Sequence, residues 1–189
     1  MKLISYKKLI KYELYRNLGK KKCCFFFLPP QIKFLVMFRH CQYAKKLVSK
    51  SFYRIVLNYY RNKTGNEISS KTNIGPGLFL GHAGPRYINV KSNIGSNCNI
   101  NQGVTIGQEN RGKREGCPTI GNNVWIGAYA VVVGKITIED DVLIAPLSFV
   151  NFDVPQHSVV VGNPGVIHHK ENATFGYINE TIDDYDILS

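Results

Sequence analysis

The chain has 189 residues and 44% hydrophobic content, enough for one packed domain with appendages and too short for two full domains. Its net charge of +11 hides two unlike parts: residues 1–66 carry 16 Lys and Arg against the single acid Glu13, whereas residues 67–189 are net −4. Five cysteines (Cys23, Cys24, Cys41, Cys98 and Cys117) with no C-x-x-C pair argue against a disulfide framework or a zinc cluster, and the most apolar stretch, residues 23–38, is too interrupted to span a bilayer.

Residues 1–66 read as helical, with few turn residues and aromatic or aliphatic side chains alternating with Lys and Arg. One helix is expected over Tyr6–Leu18, stopped by Gly19, and a longer one over residues 31–60 after Pro29 and Pro30. Two roles fit such a segment. It can cap the end of the domain that follows, or lie on anionic lipid with its basic side chains snorkelling. Nucleic-acid binding has only charge in its favour and is not expected. Without a small-residue cleavage site behind an apolar run, the expected location is cytoplasmic, with peripheral contact to the inner face of the cytoplasmic membrane as the alternative.

From residue 67 to 168 aliphatic residues recur every six positions: Ile68, Ile74 and Leu80, then Ile88, Ile94, Ile100 and Ile106, then Ile120, Ile126, Val132, Ile138, Ile144 and Val150. Six is neither a strand face nor a helix stripe. It marks a parallel β-helix with one short strand per repeat and three repeats per triangular coil. The residue after each aliphatic is often Gly or Asn, as at Gly75, Gly95 and Gly121, which suggests a tight corner. The fifth repeat position is small or apolar, Cys98 included, and reads as a second inward column. The period breaks twice, by two extra residues around His82 and by eight in the loop containing residues 111–117. Residues 169–189 are acidic and without repeat, a tail that is mobile or covers a neighbouring subunit.

Stacking three repeats per coil places His82, Gln102, Ala128 and Pro146 in one column, with neighbours about 4.8 Å apart. A histidine and an amide then head a line of side chains that donate no hydrogen bonds, beside which a thin ligand can approach the backbone. His82 is the one histidine inside the regular coils and the candidate general base. A zinc site would need several converging histidines, so no metal is expected.

The segments IGPGLFLGH (74–82), NQGVTIG (101–107), PTIGNNVWIGAYAVVVGKI (118–136) and VVGNPG (160–165) resemble the hexapeptide-repeat acyltransferases, in particular the serine acetyltransferase-like group with its capsule and surface-polysaccharide O-acetyltransferases. The resemblance implies a mainly β fold, a left-handed parallel β-helix with an N-terminal helical segment, assembled as a homotrimer with acetyl-CoA as acyl donor between subunits. It places the catalytic histidine at His82 and its orienting carboxylate at Glu67. It also puts oxyanion-binding backbone near Gly107 and Gln108, and the pantetheine arm past Ala128 and Pro146. Gln102 and Cys117 would face the acceptor. Three positions depart from serine acetyltransferases: Gly81 replaces an acid, and Gly116 and Cys117 replace an Arg-His pair. Val166 stands where a CoA-binding basic residue is usual, leaving His168, Lys170 or the Arg111, Lys113 and Arg114 loop for the CoA phosphates. Losing charged partners for a zwitterion favours a saccharide hydroxyl as acceptor, in surface-polysaccharide biosynthesis and on a small or lipid-linked sugar. Serine O-acetylation is the alternative, and a non-catalytic membrane-associated scaffold is the alternative of another class.

Overall fold

The computed structural model describes residues 5–19 and 24–188. Three stacks of short strands form the faces of a left-handed triangular β-helix. The first face stacks Asn66–Ile68, Arg86–Ile88, Thr105–Gly107, Val131–Val133 and Phe149–Val150. The second stacks Asn73–Ile74, Asn93–Ile94, Thr119–Ile120 and Thr137–Ile138. The third stacks Asn99–Ile100, Trp125–Ile126, Val142–Ile144 and Ser158–Val161, and Val166–His169 closes it in antiparallel pairing.

The six-residue period sets this register. Ile88, Ile106 and Val132 are successive partners on the first face, Ile74, Ile94 and Ile120 on the second, and Ile100, Ile126 and Ile144 on the third. All point inward and are buried, as are the fifth-position residues Thr72, Leu78, Ser92, Cys98, Val104, Val124, Ala130, Ile136 and Val142. Burial raises the Cys98 thiol to about 12, so it serves as a small inert core side chain.

The glycines after the aliphatics have a different cause from the one their spacing suggests. Their φ values are ordinary; what they permit is close approach between coils. A Cβ on Gly95 would lie 2.4 Å from Gly121 O, and one on Gly75 2.6 Å from Gly95 C. Left-handed backbone falls elsewhere, at the corner column Gly77, Asn97, Asn123, Asp141 and His157.

Helix α1 (Tyr6–Leu18) begins at Ser5, whose hydroxyl accepts a hydrogen bond from Lys8 N, and ends at Gly19. Helix α2 (Pro30–Tyr43) opens with Pro30 in the first turn, and α3 (Leu47–Thr64) ends at Gly65 with φ 71°, directly before the first strand. The single helix expected over residues 31–60 is therefore two. The break falls at residues 44–46, which contain neither Gly nor Pro. Packing decides it: α2 lies buried on nearly all sides, whereas α3 buries only Leu57 and Thr64.

Helix α2 covers the first coil. Phe34, Leu35 and Phe38 join Ile68, Ile74, Leu78 and Leu80 in one core, and Arg39 donates to Ile74 O (2.7 Å) and Gly75 O (2.5 Å). The Arg39 guanidinium also pairs with buried Glu13 of α1. Asn17 treats the open strand edge as a partner, giving to Leu78 O and accepting from Leu80 N.

The tail folds back along its own chain. Asp141 accepts from Ala173 N, Thr174 N and the Thr174 hydroxyl, Tyr177 packs edge-on to Trp125, and Asn97 Oδ1 receives Ile182 N. Helix α4 (Ile182–Leu188) then meets α1, where Tyr12 and Lys8 bind Asp186.

Candidate active site

His82 stands in the bend between the third and first faces. Phe79 still bridges Asn99, and Arg86 opens the next strand. The His82 side chain is exposed, and its ring makes no hydrogen bond among the described residues. Its backbone is held from inside by Arg86. The guanidinium donates to Ile100 O (2.7 Å), His82 O (2.8 Å), Gly84 O (3.0 Å) and Asn66 Oδ1 (3.2 Å). Arg86 is 0% exposed with no carboxylate partner among the described residues, and burial pushes its pKa down to about 10, so it stays charged at neutral pH. Four oxygen dipoles solvate that charge in place of water. Sequence reasoning overlooked Arg86, yet the signal was available: a cation two residues before Ile88 occupies an inward-facing position beside the first break in the period.

Above this bend Gln102, Ala128 and Pro146 stack in the order of the coils. The residues beneath Gln102 are Gly84 and Pro85 and not His82 as the repeat count predicts: Gly103 N donates to Pro85 O (2.7 Å), because the two extra residues lie between His82 and the column. Gly84 lies against Gln102, where an added Cβ would come within 2.8 Å of the Gln102 Cβ. Gln102 O accepts from Tyr129 N, and Ala128 O accepts from Leu147 N, each at 3.0 Å. Gln102 Oε1 is buried without a hydrogen-bond partner among the described residues. Alongside run Tyr129 and Leu147, both exposed and in left-handed backbone conformation, a rim that the period alone does not reveal.

The second break folds into a tied-down loop. Glu109 and Gly116 form an antiparallel bridge, and Gly112–Arg114 make one turn of 3₁₀ helix. The next coil anchors it through Gly134 N to Gly107 O (3.3 Å) and Lys135 N to Arg114 O (2.8 Å). This bridge brings Gln108 and Cys117 together, with Sγ 3.9 Å from Oε1, one residue beyond Gly107. Arg111 and Lys113 are exposed and make no ion pair among the described residues. Glu67 lies on the first face opposite Tyr87, exposed, and no hydrogen bond joins it to His82 within the chain. Pro146 is exposed at the upper end of the column, and His168 lies on the closing strand.

Such a site offers an unpaired imidazole on a braced bend, an unfilled amide acceptor, and a narrow ledge of small residues. The arrangement suits proton transfer at a hydroxyl beside an extended ligand.

Comparison with known proteins gives this geometry a family setting. The bacterial transferase hexapeptide (six repeats) family matches residues 117–151. The serine acetyltransferase of Staphylococcus xylosus is 41% identical over 138 residues, covering 70% of this chain and 63% of that protein. That of Staphylococcus aureus strain N315 is 40% identical over 138 residues, covering 70% and 64%. The chain thus spans less than two thirds of these relatives' length. Among solved structures, Neisseria gonorrhoeae serine acetyltransferase superposes with a TM-score of 0.71 at 26% identity, over 87% of this chain and 66% of that one. Soybean serine acetyltransferase gives 0.72 at 23% identity, over 87% and 69%, a likeness of fold.

These relatives correct one expectation. The surface-polysaccharide acceptor rests on Gly81, Gly116 and Cys117, and the likeness to capsule O-acetyltransferases on the repeat segments, which serine acetyltransferases share. Missing charges at three positions say which contacts are not made, and not which acceptor binds. A match across 138 residues weighs the whole domain and points to serine acetyltransferases. By sequence and by fold, the chain is similar to the hexapeptide-repeat domain of serine acetyltransferases.

Proposed function

We propose that the chain is an acetyl-CoA-dependent serine O-acetyltransferase, acting in the cytoplasm as a homotrimer. The observation that carries this reading is the 41% identity over 138 residues to the Staphylococcus xylosus serine acetyltransferase. His82 is the general base. It takes the hydroxyl proton of serine as that oxygen bonds to the thioester carbonyl carbon; the C–S bond breaks, and the proton passes to the leaving sulfur. The exposed, unbonded ring of His82 supports this role. Backbone N–H groups at Gly107 and Gln108 receive the oxyanion, and the ledge at Ala128 and Pro146 takes the pantetheine arm. Arg111, Lys113 and Arg114 face the CoA phosphates, and the orienting role expected of Glu67 has no hydrogen bond to His82 within the chain to support it.

Acceptor recognition works without the acid and the Arg-His pair expected of this group. Gln102, in the column above the His82 bend, and Cys117, beside Gln108, are the residues assigned to the acceptor. The test is CoA release from acetyl-CoA with L-serine and with a panel of sugars, using His82→Ala as control. Turnover with serine, lost in the variant, is expected; turnover with a sugar and none with serine overturns the acceptor assignment.

A further inference from the structure

Helix α3 carries a line of apolar side chains that lies open to solvent and outside the core. Val48, Phe52, Ile55 and Tyr59, spaced i, i+4, i+7 and i+11, are 83, 60, 70 and 58% exposed. The core is served by another side of the helix, through buried Leu57 with half-buried Tyr53, Val56 and Tyr60. The line is therefore not a misplaced core face. A second apolar point, Phe25–Phe27, projects just before α2 with Phe26 and Phe27 both 76% exposed. Soluble surfaces rarely leave this much aromatic area uncovered without a partner.

Charge identifies the partner. Lys45, Lys46, Lys50, Arg54, Arg61 and Lys63 lie on α3 or immediately before it, and none makes an ion pair among the described residues. No acid occurs from residue 14 to residue 66. Lys63 sits 5.9 Å from the Tyr59 ring centroid and Lys33 within 6 Å of the Phe25 and Phe26 rings, so ammonium groups border the exposed aromatics directly. A second copy of the same face would set cation against cation. An anionic bilayer meets both features at once, lipid phosphates facing Lys33 and Lys63 beside the exposed rings while the apolar line enters the headgroup boundary. No described helix is long and apolar enough to cross a membrane.

We infer that α3, with the Phe25–Phe27 turn, is a docking surface for an anionic lipid bilayer. The full chain is expected to cosediment with vesicles of phosphatidylcholine and phosphatidylglycerol and not with phosphatidylcholine alone, and raised salt weakens the binding. The double substitution Phe52→Asp with Ile55→Asp lowers the partition coefficient by about tenfold or more. It leaves the circular dichroism spectrum unchanged, because neither side chain belongs to the core. Absence of binding to anionic vesicles at low salt, or equal binding by the double variant, overturns the inference. So does a fall in oligomer mass by light scattering in the double variant, which assigns the line to a second copy.

Discussion

Replacing Arg86 with Met removes a charge that no acid among the described residues balances. The substitution keeps an unbranched chain of similar length in the same inward position, so cavity formation contributes little. What is lost is four donated hydrogen bonds. Ile100 O and Asn66 Oδ1 lie in contacts that are fully buried, whereas His82 O and Gly84 O are at the margin where water can enter. Orphaning two buried acceptors costs about 1–3 kcal/mol each, and relief of the buried charge returns part of that. A net loss of about 3 kcal/mol follows, or about 6–12 °C in Tm for a chain of this size. Urea unfolding followed by fluorescence and by circular dichroism measures it. The kinetic signature is more telling. Because the guanidinium holds the carbonyls on either side of the His82 bend, kcat with serine falls by about tenfold or more while KM for acetyl-CoA changes less. Arg86→Lys restores only part of both, since an ammonium cannot span four oxygens in different directions. A Met variant that loses under about 1 kcal/mol and keeps its kcat would show that Arg86 fills space and does not brace the bend.

His82→Asn is expected to lower kcat by about 10²–10⁴ without shifting Tm, because the ring is exposed and makes no hydrogen bond; stopped-flow thiol detection beside calorimetry checks both. Gly95→Ala places a Cβ 2.4 Å from Gly121 O in a backbone stack and should cost about 2 kcal/mol, read as a shift in the urea midpoint. The tail latch should depend on pH in a defined sense. The hydrogen bond from His157 Nδ1 to Asp141 raises the histidine above its ordinary value. Burial alone would raise Asp141, but hydrogen bonds from Thr174 and His157 outweigh it and hold the carboxyl below its ordinary value. The His157 contribution is complete below about pH 6.5 and fades as pH climbs through its raised pKa; that of Asp141 is present above about pH 4 and fades below it. Protease cleavage of residues 170–188 should therefore be slowest between those limits and quicken toward pH 9. A His157→Asn variant with the same alkaline rise would refute the assignment.

The coils were legible because each inward residue answers to a simple steric demand repeated every six positions, and Ile94 is placed by the same rule as Ile138. The helices were less so. Nothing at residues 44–46 announces a break, because the cause is α2 lying across a coil whose surface only the folded solenoid creates. The corner glycines were found for the wrong reason, their spacing being blind to the difference between a positive φ and a neighbouring carbonyl. In the site, the stack of Gln102, Ala128 and Pro146 followed from counting, whereas the two extra residues beside His82 shifted it out of that column. Arg86 and the exposed rim of Tyr129 and Leu147 need three dimensions, since their partners come from other coils. The acceptor was misjudged because three loop positions were made to outweigh a domain.

The tail alters how such a molecule comes apart. A solenoid is nearly one-dimensional, each coil leaning only on its neighbours, so its two ends can fray independently. Here Asp141 in the upper coils grips the strand of chain that ends on α1, and α1 shares the buried Glu13 and Arg39 pair with the cap on the lowest coil. Top and bottom are joined outside the stack, and the row of coils becomes a ring. Loosening one end then costs the contacts of the other, which turns gradual fraying into a single all-or-none event.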